Sequence, residues 1–458
     1  MHYEKFPDGT VKCIEDEIPF ELPEGWEWCR LFQISEIVTG STPSKNNPEY
    51  YGKSFPFFKP ADLEQGANVI NASEYLSIKG KNVSRVIPIG ATAVCCIGSI
   101  GKCGYLQREG ATNQQINSII PYIHKKYVFY YCLTNFFVEQ LLIESSATTI
   151  AIVNKNKMSN VFIPIPPFSE QHRIVTKLNE LISFIDTIET NKNDLQSTIQ
   201  LTKSKILDLA IRGKLVPQDP NDEPASVLIE RIRTEKEELI KQGKIKRDKK
   251  ESVIFKGEDN SYYEKIGDEV RCIDNELPYN IPENWAWKRL SSACIINPKN
   301  SIADDTVVSF VPMALIQDGY TNEFTFEQRK WGEIKKGFTH FAENDVGFAK
   351  ITPCFENRKS VVFRGLCNGY GAGTTELYIL RTLPDTILPE YILYVIKTDS
   401  FLVGGKQTCA GVVGQQRISK DYVCDYLVPV PPLNEQVRII KKCTEIMTML
   451  HNIEKGLS

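Results

Sequence analysis

The chain is an imperfect tandem repeat, and nothing else in it limits the possible architectures as much. Pro23-Glu24-Gly25-Trp26-Glu27-Trp28 returns 259 residues later as Pro282-Glu283-Asn284-Trp285-Ala286-Trp287, and these two hexapeptides hold four of the five tryptophans. At the same offset Cys13-Ile14-Glu15-Asp16-Glu17-Ile18-Pro19 is echoed by Cys272-Ile273-Asp274-Asn275-Glu276-Leu277-Pro278, and a little upstream Tyr3-Glu4-Lys5 answers Tyr263-Glu264-Lys265. A second block, Ile163-Pro164-Ile165-Pro166-Pro167-Phe168-Ser169-Glu170-Gln171, recurs 265 residues on as Val428-Pro429-Val430-Pro431-Pro432-Leu433-Asn434-Glu435-Gln436. Self-similarity at a nearly fixed period marks a duplicated structural unit. At 458 residues the chain is also too long for one ordinary core, so two or three domains are expected.

Each Pro-Pro block opens a helical pattern. Ile174, Val175, Leu178, Leu181, Ile182, Ile185 and Ile188 draw one apolar stripe, and Ile439, Ile440, Cys443, Ile446, Met447, Leu450 and Ile453 repeat it position for position. Ser169 and Asn434 stand where N-caps belong, just after the prolines. Two helices with matching stripes are expected to pack on each other as a coiled-coil-like pair. The first helix runs on through Leu195, Ile199, Ile206 and Leu209 to a stop at Gly213. Pro217 to Pro224 is a turn-rich breaker, a further helix is expected over 225–242, and 241–250 is a basic run. That run reads as a solvated helix end or loop, or else as a partner or phosphate contact. Each unit is therefore constant, variable, constant: a Trp-bearing opening, about 130 divergent residues, and a Pro-Pro-led helix. The second copy stops at Ser458, the equivalent of Asn193, so nothing answers residues 194–262, an arm of about 69 residues.

Composition excludes little by itself. A net charge of −3 does not advertise a nucleic-acid binder, although binding depends on local patches rather than the total. There is no run of 18 apolar residues and no charged-then-apolar leader, which reads as a soluble, cytoplasmic protein. The 13 cysteines include no C-x-x-C and the five histidines lie far apart, so buried free thiols are expected and a zinc site is not.

Catalytic motifs are missing too. Gly98-Ser99-Ile100-Gly101-Lys102-Cys103 has the wrong spacing and ending for a nucleotide-binding loop, and no G-x-S-x-G, H-E-x-x-H or G-x-G-x-x-G after a strand occurs. Ile165-Pro166-Pro167-Phe168 superficially matches the loop of amino-methyltransferases, but Ile165 stands where an Asn or Asp must engage the target amine. The pattern is that of a recognition device rather than a catalyst.

The chain resembles the specificity subunits of type I restriction-modification systems. The resemblance rests on the two P-E-[GN]-W-x-W-x-R-L openings, the two P-x-P-P-[FL]-x-E-Q helix starts and the stretch LDLAIRGKLVPQDPNDEPASVLIERI from Leu207 to Ile232, and it covers nearly the whole chain. It implies an α+β fold with two pseudo-symmetric α/β target recognition domains, over 1–166 and 263–431, joined by long helices packed as an antiparallel coiled-coil-like pair. The central helical region would span 167–262 and a shortened distal helix 432–458. It also implies that the chain is not an enzyme and carries no cofactor of its own. Each domain would read half of a bipartite site on double-stranded DNA. The helices would dock methylase subunits, two of them, which hold the S-adenosylmethionine, and a translocase-nuclease subunit would complete the complex. A freestanding DNA-binding or scaffold protein without methylase partners is the alternative, and a fused methyltransferase or nuclease is another.

Under this resemblance, residues with the donors and acceptors that base edges demand become candidates for DNA contact. In the first variable region these are Lys45, Asn46, Lys102, Asn113, Gln114 and Gln115, with Thr42, Ser44 and Ser99 as phosphate partners. In the second they are Lys350, Asn357, Arg358, Lys359, Gln415, Gln416 and Arg417, with Thr352, Thr374 and Thr375 beside them. No metal ligands are expected. The tryptophans are not candidates: W-x-W puts both indoles on one face of an extended segment, where they pack a core, and Phe324, Phe326 and Trp331 read as core or loop anchors. The departure from the family is the unanswered arm, which predicts weaker or altered methylase docking on one side, or an arm supplied in trans.

Overall fold

The structure is a computed structural model that describes residues 2–6, 8–18, 20–143, 152–245, 252–411 and 416–457. Pro19, the basic tract 246–250, and Gly414 and Gln415 lie outside the described residues. The chain forms two compact units, Met1–Glu189 and Thr190–Ser458.

The repeat seen in sequence is a repeat of internal contacts. In the first unit strand Glu27–Arg30 pairs antiparallel with Phe162–Ile165, and in the second Ala286–Arg289 pairs with Leu427–Val430 in the same way. The segment that opens each unit is thereby hydrogen-bonded to the segment that closes it. The arginine ending each opening strand secures the junction: Arg30 donates to Glu4 and the carbonyl of Asn160, Arg289 to Glu264 and the carbonyl of Asp425. The Gln of each P-P-x-x-E-Q block turns back onto its own proline, Gln171 to the Pro166 carbonyl at 2.9 Å and Gln436 to the Pro431 carbonyl at 3.0 Å.

Between opening and closing strands each unit holds a four-stranded antiparallel sheet. Its order is Ser35–Thr39, Ile116–Pro121, Thr92–Cys95, Cys103–Tyr105 in the first unit and Ile295–Ile296, Leu377–Arg381, Val346–Ala349, Ser360–Val362 in the second. The two central strands of each sheet are apolar along most of their length and buried on both faces, as sheets covered on two sides must be. Trp287 and Trp331 are fully buried and Trp285 nearly so, while Trp26 and Trp28 are half-buried. Phe324 and Phe326 pack at the edge of a core cluster.

Three helices lie outside the sheets: α1 (Phe168–Ile211) and α3 (Leu433–Leu457), which carry the repeated Pro-Pro-led stripes, and α2 (Ala225–Lys241). α1 and α3 start one residue earlier than the expected N-caps, so Ser169 and Asn434 lie inside the first turn. The carbonyls of Pro167 and Pro432 accept the first helical bonds, and a proline needs no N–H to do so. α3 packs antiparallel on the distal stretch of α1: Ile439 and Cys443 share a core with Leu207, Ala210 and Ile211, while Lys203 Nζ reaches Glu454 at 2.6 Å. A coiled-coil-like pair is therefore present. The partner of the α3 stripe is this distal stretch rather than the matching stripe of α1, because Ile199 to Ile211 carries its own apolar face.

No disulfide joins the cysteines. Six of the 13 are buried, whereas Cys13 and Cys272 are exposed, so the expectation of buried thiols holds for only part of the set. Burial pushes the Cys96 and Cys103 thiols up to about 12. Among the described residues no group of His, Cys, Asp and Glu is placed to hold a metal ion, and no helix is long and apolar enough to cross a membrane.

Candidate nucleic-acid interface

In the first unit three loops converge at one end of the four-stranded sheet. Gly40 and Ser41 donate to the carbonyls of Ile116 and Thr112, which seats the loop carrying Thr42, Ser44, Lys45 and Asn46 against Thr112–Ile116. The fit requires glycine: a Cβ on Gly40 would lie 2.1 Å from the Asn113 carbonyl oxygen. Thr42 Oγ1 then donates to Gln114, and Asn113 Nδ2 to Gln115 at 3.0 Å. The third loop joins through Cys96, whose N–H donates to the Gln115 carbonyl at 2.7 Å. It carries Ser99, exposed, and Lys102, whose ammonium pairs with Glu64 at 2.7 Å. Lys45, Asn46 and Gln114 are exposed at this junction, while Asn113 is buried.

The second unit builds the same junction from different side chains. The N–H of Lys350 donates to the Glu376 carbonyl as that of Cys96 does to Gln115, and Ile351 bridges Arg417 as Ile97 bridges Ile152. Likewise Ile418 donates to the Lys350 carbonyl and Val153 to that of Cys96, at 3.0 Å in both cases. The structural equivalents are thus Cys96 with Lys350, Gln115 with Glu376, and Ile152 with Arg417. An apolar or neutral amide set in one unit faces a charged set in the other. Arg417 donates to Glu376 through Nε and Nη2, at 2.8 and 2.9 Å, and that pair of bonds holds the Glu376 carboxyl below the usual range. Lys350 lies 5.6 Å over the Tyr378 ring. Thr352 is buried and bonded to the Gln416 carbonyl, Thr374 accepts from the Glu376 N–H, and Thr375 is exposed beside them.

Three candidates stand apart from this junction. Asn357 is exposed, and its carbonyl accepts from Gly319. Arg358 has a left-handed backbone (φ 59°), donates to the Lys397 carbonyl and pairs with Asp399. Lys359 donates to the carbonyls of Met313 and Ile316. Both cations serve as ties between loops, and beneath them fully buried Lys397 donates to the carbonyls of Gly319 and Arg358 at 2.7 and 3.0 Å. Burial drives the Lys397 ammonium down to about 7. Glu376 and Glu64, which fix Arg417 and Lys102, were not among the sequence candidates, because anion-seeking reasoning passes over carboxylates. Only the structure brings Glu376 forward, as the equivalent of Gln115.

Comparison with known proteins defines the class first. Residues 23–197 match the type I restriction modification DNA specificity domain. Over that stretch the chain is similar to the specificity subunits of type I restriction enzymes. It is 43% identical over 258 residues to the EcoAI specificity subunit of Escherichia coli, a match spanning 56% of this chain and 41% of that protein. With the EcoEI specificity subunit of the same species it shares 43% over 258 residues, 56% of this chain and 40% of the relative. The HindI specificity subunit of Haemophilus influenzae is 38% identical over 102 residues, 22% of each chain. The chain thus spans about two fifths of the length of the two Escherichia coli relatives. The fold is shared with a chain solved in work on assembly and conformational transition of the type I R-M system (TM-score 0.60, 18% identity, 96% of this chain and 94% of that one). It is shared also with the HsdS subunit from Thermoanaerobacter tengcongensis (TM-score 0.54, 17% identity, 96% and 93%).

Proposed function

We propose that the chain is the non-catalytic DNA-recognition subunit of a type I restriction-modification complex, its two three-loop junctions each reading one half of a bipartite site. The observation that carries this reading is the exchange of side chains on an unchanged scaffold: Cys96, Gln115 and Ile152 against Lys350, Glu376 and Arg417. A fold that needed only stability would gain nothing from that exchange. Two half-sites of different sequence need different donors and acceptors in equivalent places.

In this reading 1–166 and 263–431 are the recognition domains, and 167–262 and 432–458 are the helical regions that set half-site spacing and dock methylase subunits. S-adenosylmethionine and the methyl transfer belong to those subunits, cleavage to a translocase-nuclease subunit, and the complex works in the cytoplasm. Thr42, Ser44, Lys45, Asn46, Ser99, Lys102, Asn113, Gln114 and Gln115 serve the first half-site. Lys350, Thr352, Thr374, Thr375, Gln416 and Arg417 serve the second, while Arg358 and Lys359 shape its supporting loops.

The test is methylation mapping with the reconstituted complex. Asn113→Ala with Gln114→Ala should relax only one half of the methylated motif, and Lys350→Ala with Arg417→Ala only the other, each at a cost of about 1–3 kcal/mol of discrimination. Loss of both halves with either pair, or an unchanged motif with both, would refute the assignment.

A further inference from the structure

A fourth segment clasps the Thr42–Asn46 loop of the first unit, and it ends on an arginine absent from the sequence candidates. The strand Glu74–Leu76 pairs with Tyr51–Phe58 and leads into a short helix, Ile78–Asn82. This helix is pressed against the far end of the loop. Ser77 N–H donates to the Tyr50 carbonyl at 3.0 Å, Ser77 Oγ to the Glu49 carbonyl, and Lys79 Nζ to the Glu49 carboxylate at 2.8 Å. The approach depends on glycine, because a Cβ on Gly80 would lie 2.0 Å from the Tyr50 carbonyl oxygen. The segment then returns to the near end of the loop, where Arg85 Nη1 donates to the Thr39 carbonyl at 2.7 Å.

That bond fixes a guanidinium at the root of the loop. Thr39 precedes Gly40 and closes the edge strand of the four-stranded sheet, opposite Asn117. Thr39 Oγ1 donates to Asn117 Oδ1 at 2.7 Å, so the residue that holds Arg85 is itself tied to the sheet. Thr42 is three residues on, at most about 11 Å along the chain. Charge sets Arg85 apart from the cations around it. Lys79, Lys81 and Lys102 are each matched by a carboxylate, of Glu49, Glu109 and Glu64, at 2.8, 2.6 and 2.7 Å. Arg85 is exposed, and among the described residues its Nε and Nη2 have no partner and no carboxylate pairs with it. Its exposed neighbours Val83 and Val86 are apolar and offer it no acid.

We propose that Arg85 is the backbone anchor of the first half-site, gripping a DNA phosphate beside the bases that the Thr42–Asn46 and Asn113–Gln115 loops face. The proposal rests on the DNA-reading function proposed above and gives Arg85 a part in it that carries no sequence information: it sets the register of the loops on the duplex. A guanidinium presents a planar fork of N–H donors that matches phosphate oxygens, and one held by a carbonyl has less side-chain freedom to lose on contact. Its positive charge displaces a counterion from the duplex, which a neutral or acid-paired side chain cannot do.

The test is salt dependence. The reconstituted complex is titrated by fluorescence anisotropy onto a labelled duplex carrying the motif that methylation mapping returns, and onto an unrelated duplex, between about 50 and 200 mM salt. Arg85→Gln keeps an N–H that can donate to Thr39 but removes the charge. It should weaken binding to both duplexes alike, roughly tenfold at the lower salt and about threefold at the higher, which lowers the slope of log K against log salt by about 0.9. The methylated motif should stay as it is. Arg85→Lys should keep the slope, and Gln114→Ala should change the motif at an unchanged slope. A wild-type slope in Arg85→Gln overturns the proposal, since a charge that releases no counterion touches no phosphate. A changed first half of the motif in Arg85→Gln overturns it as well, making Arg85 a base reader or a mere tie of the loop. Equal binding of both duplexes by the unsubstituted complex would refute the DNA-reading function itself, and the anchor with it.

Discussion

Substituting one tryptophan in each repeat separates packing from sequence coincidence. Trp285→Phe removes an indole N–H that donates to buried Glu435 at 2.8 Å, leaving that carboxylate with Gln218 alone. A hydrogen bond to a charged group is worth about 1.5–3 kcal/mol. The smaller ring also gives up roughly 40 Å² of buried apolar surface, or about 1 kcal/mol at ~25 cal/mol per Å². The expected loss is therefore ~2.5–4 kcal/mol. Trp26→Phe, at the equivalent position, touches a half-buried ring with no hydrogen-bond partner among the described residues, and should cost below ~1 kcal/mol. A two-unit chain has no single unfolding free energy, so the assay is native-state hydrogen exchange read by segment. Protection should fall in Leu433–Leu457 and in 199–211 for Trp285→Phe, with Phe168–Glu189 unchanged. Equal losses from both substitutions, or a loss below ~1 kcal/mol for Trp285→Phe, would refute the account of Glu435 as a buried acceptor that needs two donors.

Acid should attack the second unit through Glu264. Burial opposes its charge, yet Arg289 and Arg271 hold the carboxyl down to about 2, so its stabilisation is complete above pH ~4.5 and drains away as pH falls from there towards 2; Glu264→Gln should remove that slope from urea titrations of the second unit. Lys397 acts with the opposite cause. With its folded value lowered to about 7, the unfolded chain binds a proton that the folded one lacks between pH 7 and ~10.5, so urea midpoints of the second unit should rise with pH across that window and flatten in Lys397→Met. Gly40→Ala, whose Cβ meets the carbonyl oxygens of Asn113 and Thr112 at 2.1 and 2.4 Å, should cost ~1–3 kcal/mol and abolish recognition of the first half-site only, as read by methylation mapping; retention of that half-site would show that the Thr42–Asn46 loop is not part of the reader.

The fold was legible where the two copies agree. The offsets of 259 and 265 located the opening and closing strands, and the side chains that bond them, Arg30 with Arg289 and Gln171 with Gln436, sit inside the matched blocks. What could not be read was partner choice among apolar stripes. Hydrophobic periodicity says that a face is buried but not against what, and α3 settled on Leu207, Ala210 and Ile211 although its pattern matches Ile174 to Ile188 better. The loops of the candidate junction could be picked out in sequence, but not which of their side chains it holds. Lys350 and Arg417 meet Glu376 because two strands and a bridge bring them together, whereas Arg358 and Lys359, a few residues from Lys350, are consumed by carbonyls and Asp399. Side-chain type identifies what a residue could read; only the repeat, overlaid on itself in space, distinguishes the positions where the two units differ by chemistry from those where they differ by drift.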